Sequence, residues 1–289
     1  MDIMIIGGGA VGLLSAVFLK QAGCNVMIRT RTEKQAEAIN EDGLKMDGEI
    51  WEVKASTDSS SWKPEAVIIA VKQYHLEEIL NSNIPAEVPW LFIQNGMGHT
   101  ELAEKFHSAP LFSIVTHGAV RKGPAEVIHT GSGKFIIGGS VKSGFIEMLE
   151  KTGAPMNAEW TDNIQLQLKK KLLVNAVVNP LTVLYETRNG YLLENTKAKE
   201  EAYKLFEEAA EVLNMPKSSW AFVEEIIEST KLNYSSMLMD YKKGRALELE
   251  SINGWIIKEG TNQNIAVSEN LRIVEAVKNK VSSRVIRRD

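Results

Sequence analysis

Short apolar runs alternate with helical spacing through the first half of the chain. Residues 1–6 predict a buried strand, 10–22 a helix, 24–29 a second strand and 33–40 a second helix. Residues 44–46 and 50–53 flank Asp47-Gly48, a strong hairpin signal. Residues 66–71, 90–93 and 111–115 are further strands, and 125–139 predicts another hairpin turning at Thr130-Gly131-Ser132-Gly133. Strands separated by helices give a parallel, doubly wound sheet. After about residue 160 only helical patterns remain. One spans 162–178 and should stop at Asn179-Pro180, because proline cannot continue the ladder. Others cover 194–213, 218–229, 235–242, 245–259 and 268–283. The expected fold class is α/β: an N-terminal Rossmann-type doubly wound sheet (1–161) followed by an all-α C-terminal domain (162–289).

The first strand runs into Gly7-Gly8-Gly9-Ala10-Val11-Gly12, a G-x-G-x-x-G turn that opens a helix. In that context the first glycine permits the tight turn, and the second lets backbone approach a pyrophosphate. The third lets helix and strand pack closely. A glycine-rich turn without ligand is the competing reading, and the strand and helix on either side favour a dinucleotide. The second strand ends in Arg29-Thr30-Arg31-Thr32 rather than in the acidic residue that would favour NAD. A guanidinium there suits the 2′-phosphate of NADP, although a solvated arginine is also common at a strand end. Lys72 follows another strand at its carboxyl end, where open α/β sheets bind ligands. Gln94-Asn95-Gly96-Met97-Gly98 and Thr116-His117-Gly118-Ala119 occupy the same kind of place on the next two strands.

In the second half, Lys171, Asn175 and Asn179 recur every four residues and share one face of an otherwise apolar helix. A polar stripe inside a buried helix must be hydrogen-bonded to something. Lys171 also ends a Lys169-Lys170-Lys171 run, so a solvated charge is the plainer alternative; the two asparagines on its face argue against it. Asn233, Ser235, Ser236 and Glu248 add polar groups, which spacing alone would assign to a cap and a surface carboxylate.

Charge narrows the picture. Lys+Arg 33 against Asp+Glu 37 leaves a net charge of −4, a poor match to nucleic acid. The single cysteine, Cys24, cannot form an internal disulfide. The opening MDIMIIGGGAVG has no basic n-region, and no apolar run reaches membrane-spanning length, so the expected location is cytoplasmic with no membrane partner. The five histidines show no metal-ligand spacing, and no metal is expected. Gly131-Ser132-Gly133-Lys134 imitates a phosphate loop but continues with Phe135 where Ser or Thr is needed. Asn233-Tyr234-Ser235 is a formal glycosylation sequon with no signal peptide to make it matter.

Over nearly its whole length the sequence resembles the ketopantoate reductases (2-dehydropantoate 2-reductases). The resemblance is carried by GGGAVG, Arg31, AVKQ with Lys72, QNGMG with Asn95 and THGA ending at Ala119. It continues through KLLVNAVVNPLT from Lys171, NYSSML from Asn233 and ELESINGW around Glu248. It implies NADPH-dependent reduction of 2-dehydropantoate to pantoate in pantothenate biosynthesis, on the coenzyme A pathway, with the site in a cleft between a Rossmann and an all-α domain. By matching position, Lys171 is the expected general acid and Glu248 a catalytic-region carboxylate. Asn95, Asn175, Asn179 and Ser236, with Lys171 and nearby Asn233, are expected to hold substrate. Gly7, Gly8, Gly9, Ala10, Val11 and Gly12 are expected to hold the dinucleotide, with Arg31 and Lys72 on its 2′-phosphate. Asn95, Ala119 and Glu248 would line the nicotinamide end. Family members often carry Thr-Glu-Ile-Asp where this chain has Leu247-Glu248-Leu249-Glu250. A reductase of another 2-keto acid and a non-enzymatic NADP-binding sensor are the alternatives. A sensor has no need of the Lys171 stripe. A homodimer is the expected assembly.

Overall fold

The computed structural model describes residues 1–153 and 155–286. In chain order the first part contains β1 (Asp2–Ile6), α1 (Ala10–Gln21), β2 (Asn25–Arg29), α2 (Glu33–Asp42), β3 (Leu44–Met46), β4 (Glu49–Trp51), β5 (Lys54–Ser56) and β6 (Ala66–Ile69). It continues with α3 (Leu76–Leu80), β7 (Trp90–Phe92), α4 (Gly98–Phe106), β8 (Leu111–Val115), β9 (Gly118–Gly123), β10 (Glu126–Gly131), β11 (Phe135–Gly139), α5 (Gly144–Thr152) and β12 (Ala158–Trp160). One sheet has the order β12-β11-β8-β7-β6-β1-β2-β5. From β8 to β5 its neighbours are parallel, and β11 joins antiparallel to β8. The chain leaves β1 through β2 to β5 and returns to β6 on the other flank of β1. The carboxyl ends of β1, β2 and β6 therefore meet at a topological switch point, the place where such sheets bind ligands.

A second sheet, β4-β3-β10-β9, packs on α1, which also rests on β1 and β2 of the large sheet. Covered in this way, α1 buries every residue from Gly12 to Leu19. That explains why its sequence is apolar on all faces instead of one. The β3–β4 hairpin turns at Asp47-Gly48, both with positive φ, as the sequence predicts.

The expected hairpin over 125–139 is not formed. β10 pairs back onto β9, with Glu126 opposite Gly123, so the turn lies at Pro124-Ala125. The 130–133 stretch instead crosses from the small sheet to the large one, where β11 pairs with β8. Two apolar runs around a glycine-rich bend look alike whether they pair with each other or enter different sheets. Burial separates them here: Phe135 and Ile137 of β11 are fully buried, whereas β10 buries only Val127.

The remaining elements are helices: α6 (Ile164–Tyr185), α7 (Tyr191–Glu194), α8 (Thr196–Val212), α9 (Trp220–Ser229), α10 (Ser236–Lys242), α11 (Trp255–Gln263) and α12 (Ser268–Ile286). Contrary to the sequence expectation, α6 runs through Pro180 and stops only at Tyr185. Glu186 then turns left-handed (φ 51°), and Lys280 of α12 donates to the Leu184 carbonyl at 2.9 Å. The helix expected over 245–259 begins later. Residues 250–254 form a π-turn that leads into α11, which leaves Glu248 on the preceding loop.

The chain divides into two compact units. The first holds Met1–Gln94 and Gly98–Gln167; the second holds Asn95–Met97 and everything from Leu168 onward. The boundary falls inside α6. Among the described residues no helix is long and apolar enough to cross a membrane.

Candidate active site

In the first unit, Gly7-Gly8-Gly9 leaves β1 and enters α1. Gly12 is fixed by contact: a Cβ on it would lie 2.1 Å from the Gly7 carbonyl oxygen, so only glycine lets the helix start this close to the turn. Gly9 is the N-cap of α1, no side chain among the described residues caps it, and the first turn carries no acidic residue. Those N–H groups and the helix dipole suit a pyrophosphate. Two residues that sequence reading did not single out brace the turn from below. Gln35 donates to the Gly8 carbonyl at 2.8 Å, and Arg121 of β9 donates to the same oxygen at 3.0 Å. Their signal is weak in sequence, since they lie 27 and 113 residues from the glycine they hold.

Arg31 is exposed just past β2. Its Nη1 donates to Nε2 of His75 at 2.9 Å. Arginine has no acceptor, so this ring receives the bond on Nε2 and carries its proton on Nδ1. His75 closes the short turn that Lys72 opens, so Arg31 and the Lys72 segment stand together beyond the switch point. Ala119 lies on β9 opposite His129. The glycine turn and the open helix terminus fit a dinucleotide.

In the second unit, α6 carries Lys171, Asn175 and Asn179 along one face. Lys171 and Asn175 are half-buried and Asn179 is buried. Burial pushes the Lys171 pKa down from the ordinary lysine value of 10.5 to about 8, while the carboxylate of Glu248 pulls it back up. Glu248 in turn accepts a hydrogen bond from Asn95 Nδ2 at 3.0 Å. The approach that permits this depends on Gly96. Its φ is +84°, and a Cβ there would lie 2.1 Å from the Ser251 carbonyl oxygen.

Asn233 and Ser236 are exposed at the start of α10. Ser235 caps that helix by accepting from the Leu238 N–H at 3.1 Å, as expected for one of the two serines. Its hydroxyl lies 2.6 Å from Thr182 Oγ1, and Thr182 donates to the Asn179 carbonyl at 2.9 Å. The start of α10 is thereby tied to the turn of α6 that bears Asn179. The second unit thus gathers Asn95, Lys171 and Glu248 into one cluster and ties the α10 start to Asn179. Such a set can hold a polar small molecule and hand a proton to a developing oxyanion.

Two family models match: "Ketopantoate reductase PanE/ApbA" over residues 3–141 and its C-terminal counterpart over 163–281. The chain belongs to the ketopantoate reductase family. It is an oxidoreductase. The 2-dehydropantoate 2-reductase of Bacillus subtilis is 35% identical over 278 residues, covering 92% of each chain. That of Pyrococcus horikoshii is 31% identical over 98% of each. Among solved structures, a probable 2-dehydropantoate 2-reductase from Bacillus subtilis matches with a TM-score of 0.86 at 31% identity, over 96% of this reductase and 99% of the other chain. A D-mandelate dehydrogenase solved with NADH and anilino(oxo)acetate matches with a TM-score of 0.88 at 25% identity, over 98% and 99%.

Proposed function

We propose that this reductase converts 2-dehydropantoate (ketopantoate) to pantoate with NADPH, a step of pantothenate biosynthesis. One observation carries the reading. Lys171, with its proton made labile by burial and balanced by Glu248, stands on the same helix face as Asn175 and Asn179. The relatives' shared name supplies the substrate.

When bound, a reduced nicotinamide supplies the hydride that becomes the new C–H bond of the alcohol. The chain's own residues do the rest. The Lys171 ammonium stabilises negative charge on the carbonyl oxygen and transfers a proton from Nζ to it, leaving a neutral amine that is reprotonated from solvent. Glu248 keeps that ammonium charged in a buried setting and is itself oriented by Asn95. Asn175, Asn179, Ser236 and nearby Asn233 are hydrogen-bonders for the hydroxyl and carboxylate of the substrate. In the first unit, Gly7–Gly12 would hold the pyrophosphate, Arg31 and Lys72 the 2′-phosphate, and Ala119 would line the nicotinamide end. A homodimer is the assembly we expect, without membrane or nucleic-acid partners.

The test compares ketopantoate with 2-ketoisovalerate, which lacks only the hydroxymethyl group. A site built to bond that hydroxyl discriminates by as much as ~10⁴-fold, because its buried groups are otherwise left unpaired. Asn179→Ala should raise the ketopantoate KM and narrow the gap. Comparable kcat/KM for the two acids would reject pantoate as product. It would point to another 2-keto acid, with Leu247 and Glu250 beside Glu248 as the first altered contacts to examine.

A further inference from the structure

Pro180 stands inside α6 without an N–H, so the carbonyl of Ala176, four residues earlier, lacks the donor that the α-helical ladder would give it. Ala176 is fully buried, where an unpaired carbonyl is costly. The donor comes from 77 residues away: Asn253 Nδ2 reaches the Ala176 oxygen at 2.9 Å. Asn253 is itself fully buried and donates from the same nitrogen to Asn270 Oδ1 at 3.0 Å. Asn270 spends its own Nδ2 on Glu208 at 2.9 Å. Glu208 also accepts the N–H groups of Glu269 and Asn270 at the start of α12. A carboxylate only accepts, so this end of the chain fixes which way both asparagine amides face.

The tie joins the two parts of the second unit on which the proposed chemistry depends. Ala176 directly follows Asn175 and lies five residues after Lys171. Asn253 sits in the π-turn five residues after Glu248, and Ser251 of that turn donates to the Glu248 carbonyl at 3.0 Å. We propose that Asn253 is a positioning residue for the reduction. Its amide stands in for the N–H missing at Pro180 and holds the face bearing Lys171, Asn175 and Asn179 in register with the segment bearing Glu248. This rests on the reading of Lys171 as proton donor.

The pairing of Asn253 with Pro180 gives a direct test. Asn253→Ala, Pro180→Ala and the double variant are compared with the wild type in thermal midpoint, kcat for ketopantoate and NADPH Kd by fluorescence titration. Asn253→Ala should lower kcat by about tenfold or more, the scale of one buried group left unpaired, with NADPH Kd unchanged. Pro180→Ala alone should be close to wild type. In the double variant, the Pro180→Ala change restores a backbone N–H at that position, so most of the lost kcat and thermal midpoint should return.

A folded Asn253→Ala enzyme with wild-type kcat would overturn the proposal, as would a loss that Pro180→Ala does not relieve. If Asn253→Ala fails to fold, the double variant must fold and work; its failure would mean that Asn253 holds the core through something other than the Ala176 carbonyl. Lys171→Ala, assayed alongside, separates the two ideas. A fully active Lys171→Ala would remove the proton-donor reading, while rescue of the thermal midpoint would still report the tie.

Discussion

A lysine ammonium in water keeps its proton to a pH of about 10.4. At Lys171, burial opposes the charge and Glu248 supports it, with burial the larger effect. The lysine must be protonated to act as acid, so kcat for reduction should hold at low pH and fall as pH rises through about 8. Glu248→Gln removes the supporting charge, so the fall should move to lower pH; a fall that stays in place would mean that Glu248 does not act on Lys171. Arg31 makes a different prediction. Losing a charge-assisted bond to phosphate costs ~1.5–3 kcal/mol. Arg31→Ala should therefore raise the NADPH KM by about tenfold or more and spare NADH. Equal damage with both would make Arg31 a structural partner of His75 instead.

Elements whose pattern is set by neighbours in sequence were legible; those set by distant partners were not. The glycine turn, α1 and the Asp47-Gly48 hairpin follow from local chemistry, and the structure forms each where the sequence places it. The end of α6 departs from the sequence expectation because proline normally breaks a helix, and the side chain that satisfies the freed carbonyl lies 77 residues away. The second hairpin does not form where the sequence predicts it, because alternation says which residues are buried but not which sheet they enter. The Asn95–Glu248 bond was open to sequence reading only through the family motifs, since the two residues are 153 apart. The loop that makes this bond gives a test at the same scale. Gly96→Ala forces a side chain onto the Ser251 carbonyl at positive φ, so either the protein loses stability or the loop withdraws and takes Asn95 from Glu248. Thermal midpoint, kcat/KM or both should fall; an unchanged pair would show that the approach is not required.

For the molecule as a whole, a net charge of −4 is a poor match to nucleic acid, and the five histidines show no metal-ligand spacing. The doubly wound sheet then put a dinucleotide turn in one unit, and the helices put a lysine with two asparagines in the other. In the proposed reduction, Lys171 is the group that completes the reaction. The most direct measurement is NADPH consumption at saturating ketopantoate by wild type and Lys171→Ala, with Lys169→Ala and Lys170→Ala beside them. Lys171→Ala should lose at least ~10²-fold in kcat with NADPH affinity nearly unchanged, and the other two should keep near-wild-type rates. Equal rates across all three lysine variants would contradict it.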